Sequence, residues 1–171
     1  MNTKYQTSAV LLHWIIGAIL SVMLVTGTFI LSNMPNTIDK IDNFTMHMIL
    51  GIVVTILSII RVINIYKSKQ PLELPMSKTR AKMMKLNHIA IYAVVILVGI
   101  SGIIFSQSVS LGDIVFFGKE IELYQSFKDY TFGVIHGFLT KVLIFLIVTH
   151  VIGVLSYSIK NKVNIVKRMW F

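Results

Sequence analysis

Four long apolar segments, separated by polar connections, account for most of the chain. They lie at about 8–31, 44–66, 86–106 and 131–159. An α-helix needs about 20 residues to cross the hydrocarbon core of a bilayer, and each segment is that long. The connections contain turn-forming and charged residues that end a span, as Pro35, Asp39 and Asp42 do after the first segment. The pattern predicts an all-α membrane protein, a bundle of four transmembrane helices in which residues 1–171 form a single integral membrane domain.

The composition agrees with this interpretation and excludes several classes of protein. Hydrophobic residues make up 55% and charged residues 13% of the chain, whereas a soluble domain has roughly 25% charged residues. The absence of cysteine excludes disulfides, iron–sulfur clusters and covalent c-type haem attachment. No small-residue cleavage site follows the first apolar run, so that run is predicted to be a retained span and not a cleaved signal.

Basic residues are distributed unequally between the two sides of the predicted bundle. The N-terminal tail, the connection at 67–85 and the C-terminal tail together hold 11 lysines and arginines, and the other two connections hold 3. The positive-inside rule therefore predicts that both termini lie in the cytoplasm. The net charge of +9 does not indicate nucleic acid as a partner, because most basic residues lie in these connections, where anionic membrane lipid is the natural partner.

All five histidines lie within the apolar segments. His136 and His150 are 14 residues apart on the fourth segment, which separates them by about 21 Å along a helix and by about 40° around it. Both therefore face the same neighbours at two depths. Because haem takes an axial imidazole on each face, this helix could hold one side of two haems, one near each membrane surface. The other histidines lie at matching depths, with His47 near the outer surface and His13 and His88 near the cytoplasmic surface.

Spacing alone leaves the ligand set partly open. At the outer level His47 is the single partner for His136, whereas at the inner level His13, His88 and His150 compete for two places. The alternative for any one intramembrane histidine is an interhelical hydrogen bond. Glycines beside the histidines would let a porphyrin approach the backbone, although small residues also mark ordinary helix packing in membranes. These glycines are Gly17, Gly51, Gly133, Gly137 and Gly153.

Two further basic residues lie inside the predicted spans, where ionisable groups usually have a function. Arg61 follows His47 by 14 residues and shares its face. It would either extend to lipid phosphate or bind haem propionates. Lys141 lies about 140° around the fourth helix from His136. Extension toward the surface, an acidic partner and a polar substrate all remain open for Lys141.

The order of these features resembles the bacterial cytochrome b561 family over essentially the whole chain. The motifs that carry the resemblance are LLHW at 11–14, MHMILG at 46–51 with the arginine 14 residues beyond its histidine, NHIAIY at 87–92, and the two fourth-helix histidines before a basic tail. The resemblance implies a four-helix protein of the bacterial inner membrane that binds two haem b groups. It differs from the six-helix eukaryotic cytochrome b561, which would need two more spans.

The resemblance also implies roles for individual residues. His13 and His150 would ligate the cytoplasmic-side haem, His47 and His136 would ligate the periplasmic-side haem, and His88 would belong to a quinone site. Bis-histidine ligation leaves the iron no open position, so outer-sphere electron transfer without a dedicated catalytic residue is expected.

The electron donor has two interpretations within the family. One type of member takes electrons from superoxide at the periplasmic face and passes them to ubiquinone, whereas others are cytochrome subunits that link a hydrogenase or another dehydrogenase to the quinone pool. The outer connections carry 3 basic and 6 acidic residues, a balance that does not favour collection of an anion. A third hypothesis, from another class, is a haem-free transport or assembly protein that uses histidine and lysine as proton or ion ligands.

Overall fold

The protein is all helical over the residues described by the computed structural model, which are 4–35, 37–119 and 130–170, without the side chain of residue 38. The helices are α1 (Thr7–Val25), continued by a π-helical turn (Thr26–Leu31), α2 (Ile38–Lys67), α3 (Lys78–Ser108), α4 (Leu111–Phe117), α5 (Thr131–Asn161) and a 3-10 helix (Ile165–Met169). Four of them, α1 with its π-helical turn, α2, α3 and α5, are long and apolar enough to cross a membrane. The predicted fold class is therefore confirmed.

Two of the spans begin earlier than the apolar pattern predicts. The α2 helix starts at Ile38, with Asp39 in its first turn, where a negative charge favours the helix dipole. The α3 helix starts at Lys78, because the Ser77 side chain accepts a hydrogen bond from the backbone N–H of Arg80. Hydropathy detects the part of a helix that lies in hydrocarbon, whereas capping and charge determine at which residue the helix begins.

The connection predicted at 107–130 contains a short helix that the sequence pattern did not indicate. The α4 helix lies between Ser110 and Gly118, which both have left-handed backbone angles, with φ of 53° and 61°. Glycine adopts this conformation without the steric cost that a side chain brings, and so ends the helix. Residues 120–129, with the predicted surface charges Glu120, Glu122, Lys128 and Asp129, lie outside the described residues.

The spans pack in sequence, α1 along α2 and α2 along α3, and α3 also packs along α5. Their shared core is small and lies midway along the bundle, where Ile16, Leu20, Val54, Val95 and Leu143 are buried together. The α5 helix buries only Leu143 and Tyr157 among its 31 residues. Most apolar side chains therefore face outward or border the space between the helices, as expected when lipid is the solvent.

The first and last described segments of the chain lie at the same end of the bundle, which we call the terminal end. The backbone N–H of Tyr5 donates to the carbonyl of Arg168, at 3.1 Å, and Trp14 Nε1 donates to the carbonyl of Met169, at 2.6 Å. The Arg168 guanidinium in turn donates to the carbonyl of Leu72 in the α2–α3 connection. The opposite end, at the α1–α2 connection and α4, is called the loop end.

Candidate functional site

On each of the four spans, three residues spaced seven apart lie at three successive levels of the bundle. Seven residues make two helical turns, so each set of three lies on one face with about 10 Å between levels. The terminal-end level holds His13, Arg61, His88 and His150; the middle level holds Leu20, Val54, Val95 and Leu143; the loop-end level holds Gly27, His47, Gly102 and His136. An apolar layer thus separates two polar levels.

The loop-end pair consists of His47 on α2 and His136 on α5. Their ring centres are 6.3 Å apart and their planes are inclined by 76°. Within the described residues, α2 and α5 are not among the helix pairs that pack closely along each other. The two imidazoles therefore meet across a gap that neither backbone fills.

The ring of His136 is held by hydrogen bonds from α3. Its Nδ1 lies 3.1 Å from the Val98 carbonyl and 3.2 Å from Ser101 Oγ, and that hydroxyl donates to the same carbonyl at 2.9 Å. A carbonyl only accepts, so we assign the ring proton to Nδ1. Nε2 then keeps a free lone pair, the arrangement common to histidines that ligate a metal.

The ring of His47 is held differently. Its Nδ1 is buried and, among the described residues, has no hydrogen-bond partner. On the π-helical turn that follows α1, Gly27 lies beside this ring, and an added Cβ there would lie 3.2 Å from His47 Cε1. Packing rather than a hydrogen bond therefore limits this ring.

The terminal-end cluster consists of His13 on α1, His88 on α3 and His150 on α5. The ring centre of His150 is 6.2 Å from that of His13 and 5.0 Å from that of His88. The His88 Nδ1 lies 2.8 Å from the carbonyl of Met84, one turn earlier on the same helix, and donates its proton to it. Trp14 packs edge-on against His13 with centres 5.4 Å apart. All three predicted inner histidines are thus brought together.

Arg61 lies inside the bundle next to this cluster and does not extend to the membrane surface. Its side chain is 5% exposed. Nε donates to the Tyr92 hydroxyl at 2.7 Å, and a terminal nitrogen donates to the Ala9 carbonyl. Both acceptors lie about one helical turn from a histidine of the cluster, Tyr92 from His88 and Ala9 from His13.

The comparison of the whole sequence with protein families decides the identity of this arrangement. The model of the prokaryotic cytochrome b561 family matches residues 4–171. The chain belongs to the prokaryotic cytochrome b561 family. It is therefore a multi-pass haem b membrane protein that transfers electrons, and the resemblance noted in the sequence is confirmed. No curated protein sequence matches the chain.

The ring spacing shows whether the histidines of this cytochrome b561 fit a haem iron. Metal–imidazole bonds are about 2 Å long and a ring nitrogen lies about 1 Å from its ring centre, so two imidazoles on one ion have centres about 6 Å apart. The 6.3 Å of His47 and His136 fits this spacing, and so does the 6.2 Å of His13 and His150. The 5.0 Å between His88 and His150 is too short.

The glycines expected to border a cofactor in this cytochrome b561 have two kinds of surroundings. A Cβ added at Gly17, Gly137 or Gly153 would meet no atom within 4 Å, so these positions border open space. A Cβ at Gly51 would instead touch the methyl group of Met23 at 3.4 Å, which is ordinary packing. Three of the glycines are therefore compatible with a bound porphyrin, and Gly51 packs between helices.

Two residues of the loop-end level were missed by the sequence analysis, Gly27 and Gly102. A Cβ at Gly102 would lie 3.2 Å from His136 Cε1, as one at Gly27 would from His47. The sequence does contain a signal for both glycines, since Gly27 follows His13 by 14 residues and Gly102 follows His88 by 14. The same spacing that joined His136 to His150 pointed to both glycines.

Lys141 does not join either histidine level. It is exposed on α5 between Phe138 and Phe145, which are 64% and 65% exposed. Its side chain lies on the outward face of the bundle, so a role in holding the cofactor is not supported.

Proposed function

We propose that this cytochrome b561 is a di-haem b oxidoreductase that passes electrons between the outer face of the bacterial inner membrane and a quinone. The proposal rests on one observation. At each of two levels, two histidine rings are spaced as they would be if both bound the same iron. When bound, haem b supplies reversible one-electron transfer, and the chain supplies ligands, position and surroundings.

The ligand assignment follows the ring distances. His47 and His136 would hold the loop-end haem, and His13 and His150 would hold the terminal-end haem. Each pair bridges helices that do not pack closely along each other in the described part of the chain, α2 with α5 and α1 with α5. A flat cofactor would occupy the space between them, beside Gly17, Gly137 and Gly153.

His88 is then left without an iron and is assigned to the quinone. Its Nδ1 proton is committed to Met84, so Nε2 is the atom that would take up a proton and pass it to the quinone as the quinone is reduced. Its ring centre is 5.0 Å from that of His150, which would put the quinone next to an axial ligand.

Arg61 is assigned to the haem propionates of the terminal end. A guanidinium has five N–H groups, and Tyr92 and Ala9 each accept one of them. No carboxylate of the described residues forms an ion pair with it. Because a buried charge without a counter-charge is costly, an anionic group of the cofactor would complete this site.

The terminal end would face the cytoplasm, because it carries most of the basic residues outside the spans. The donor would then reach the loop-end haem from the periplasm. Superoxide is the proposed donor and ubiquinone the proposed acceptor.

One observation favours the alternative of a protein donor, with this chain acting as the cytochrome subunit of a dehydrogenase or hydrogenase. At the loop end Lys119 forms an ion pair with Asp113 at 3.1 Å, and Lys40 is buried and donates to the Met34 carbonyl. The ion pair cancels most of the charge that Lys119 would offer a small free anion, and the buried side chain of Lys40 is not exposed to contact with one. Copurification of a larger redox protein would identify this alternative.

The test is a dithionite-reduced minus oxidised absorption spectrum of the detergent-purified protein, with haem quantified per chain. We expect two low-spin b haems, and the variants His47→Ala and His13→Ala should each retain one. Superoxide and a ubiquinone analogue are then supplied separately to measure electron entry and exit. A colourless wild-type protein, or one haem per chain, would contradict the two-level assignment and return the histidines to structural or proton-handling roles.

A further inference from the structure

We propose that the π-helical turn of α1 positions the imidazole of His47 through the backbone of Gly27. This contact takes the place of the hydrogen bond that orients His136. Gly27 is thus a positioning residue of the loop-end pair, and its role rests on the proposed function because His47 is taken as a haem ligand.

The turn at Thr26–Leu31 differs from a regular helix at Gly27 itself. The backbone N–H of Ser32 donates to the Gly27 carbonyl, five residues earlier, at 3.1 Å. An i to i−5 bond widens the helix by one residue, and such bulges are frequent at functional sites. The Gly27 carbonyl accepts this bond, so the irregular turn includes the residue that lies beside His47.

Side chains of the same segment stabilise the widened turn. In hydrocarbon a backbone carbonyl without a donor is costly, so the irregular turn needs additional donors. Three polar side chains each donate to the carbonyl four residues earlier. They are Thr26 to Val22, Ser32 to Thr28 and Asn33 to Phe29. The polar residues of this span therefore maintain a backbone shape and are not only a surface feature.

Gly27 lies beside the ring of His47, with no room for a side chain between them. A Cβ at this position would be 3.2 Å from Cε1 and 3.8 Å from Nδ1, which is closer than ordinary van der Waals contact at the first atom. The ring of His47 would have to shift by a few tenths of an ångström to make room for a side chain at this position. Gly102 on α3 bounds the ring of His136 in the same way, at 3.2 Å and 3.3 Å from Cε1 and Nδ1.

The two imidazoles differ in what else holds them. Histidines that ligate a metal usually donate their second N–H to an acceptor that fixes the ring. His136 has that acceptor in Val98, whereas the buried Nδ1 of His47 has none among the described residues. The close approach of Gly27 is therefore the restraint on His47 that a substitution can change.

Substitution of Gly27 by alanine tests the contact. The matched control is Phe29→Ala in the same turn, because Phe29 is 70% exposed. The loop-end haem is identified as the one that His47→Ala removes. In Gly27→Ala we expect its reduction equilibrium to change at least threefold and its low-spin electron paramagnetic resonance signal to shift. The terminal-end haem should keep its signal, and Phe29→Ala should change neither. An unchanged loop-end haem in a Gly27→Ala protein that retains two haems would overturn the proposal.

A second measurement that does not depend on haem binding uses haem-free protein with isotope-labelled histidines. We expect the ring resonances of His47 to move in Gly27→Ala and those of His13 to stay. Unmoved His47 resonances would overturn the positioning role whatever the haem content. A wild-type protein that binds no haem would instead contradict the proposed function, and the contact between Gly27 and His47 would still be measured by these resonances.

Discussion

At the scale of single residues, Arg61 joins three helices from inside the bundle. It belongs to α2, its Nε donates to Tyr92 on α3, and a terminal nitrogen donates to the Ala9 carbonyl on α1. Hydrogen bonds to a charged group are stronger than neutral ones and gain further strength away from water. Arg61 therefore has a structural role in addition to the one proposed for it toward an anionic cofactor.

The Tyr92 hydroxyl provides a test of that structural role. Tyr92→Phe leaves one guanidinium N–H unpaired, and we expect it to lower the free energy of unfolding by about 2 kcal/mol. Unfolding in mixed detergent micelles measures the change. Tyr66→Phe is the matched control, since Tyr66 is 84% exposed. Equal stability of the two variants would show that the bond to Arg61 contributes nothing.

His88 gives a second prediction at this scale. His88→Ala should retain two haems, because its ring is too close to His150 for a shared iron, and should slow quinone reduction at least about tenfold by removing a group that passes a proton to the reduced quinone. Stopped-flow oxidation of the dithionite-reduced protein by a ubiquinone analogue measures the rate. Ile89→Ala, at a neighbouring residue that is 52% exposed, is the control. A wild-type rate in His88→Ala would restrict His88 to a hydrogen-bonding role.

At the scale of the helices, α2 and α3 approach closely where Gly99 faces Thr55. A Cβ at Gly99 would lie 2.2 Å from Thr55 Oγ1 and 2.9 Å from its methyl carbon. Threonine is branched at Cβ and its hydroxyl donates to the Gly51 carbonyl at 2.7 Å, so the side chain has little freedom to move away. The distance between these two helices therefore depends on a residue without a side chain.

Gly99→Ala should consequently separate α2 from α3 and lower the free energy of unfolding by about 2 kcal/mol, the usual cost of overpacking. The double variant Gly99→Ala with Thr55→Ala should recover most of this loss, because the atoms that clash are removed. Thermal unfolding of the single and double variants measures the coupling. Simple additivity of the two substitutions would exclude the contact as the cause.

The sequence predicts the four spans and fails at their details, for reasons that differ between elements. Apolar length identifies a membrane helix because the bilayer demands it, but the start of α3 depends on the cap at Ser77, beyond the apolar run. The π-helical turn escaped prediction because its six residues continue an apolar span without a change of period. At the site, the two levels of histidines could be predicted from residue spacing on a regular helix alone. The contact between Gly27 and His47 did not, since it depends on how two neighbouring helices are rotated.

At the scale of the whole molecule, the terminal end is basic and compact. The N-terminal segment, the α2–α3 connection and the C-terminal tail meet there through Tyr5, Arg168 and Leu72. A basic end is retained in the cytoplasm during insertion. The proposed direction of electron flow depends on this orientation, so orientation is the property to test first.

Single-cysteine labelling can test the orientation directly, because the chain contains no cysteine of its own. Lys119→Cys at the loop end and Lys162→Cys beyond α5 are both at exposed positions. In intact spheroplasts we expect a membrane-impermeant maleimide to label the cysteine at 119 and to label the one at 162 only after lysis. The reverse pattern would invert the proposed path of the electrons.

The two histidine levels are separated by the middle layer of Leu20, Val54, Val95 and Leu143. Because of this separation, the transmembrane voltage acts on an electron that moves between them. The two histidine levels are about 21 Å apart, which is about two-thirds of the hydrocarbon thickness. An electron that moves from one level to the other therefore crosses a large part of the transmembrane voltage. Moving a full charge across the membrane is worth about 2.3 kcal/mol per 100 mV, so this step would be worth about 1.5 kcal/mol per 100 mV. With the terminal end in the cytoplasm, a cell that is negative inside opposes inward electron flow, and its membrane potential would regulate how fast the quinone is reduced.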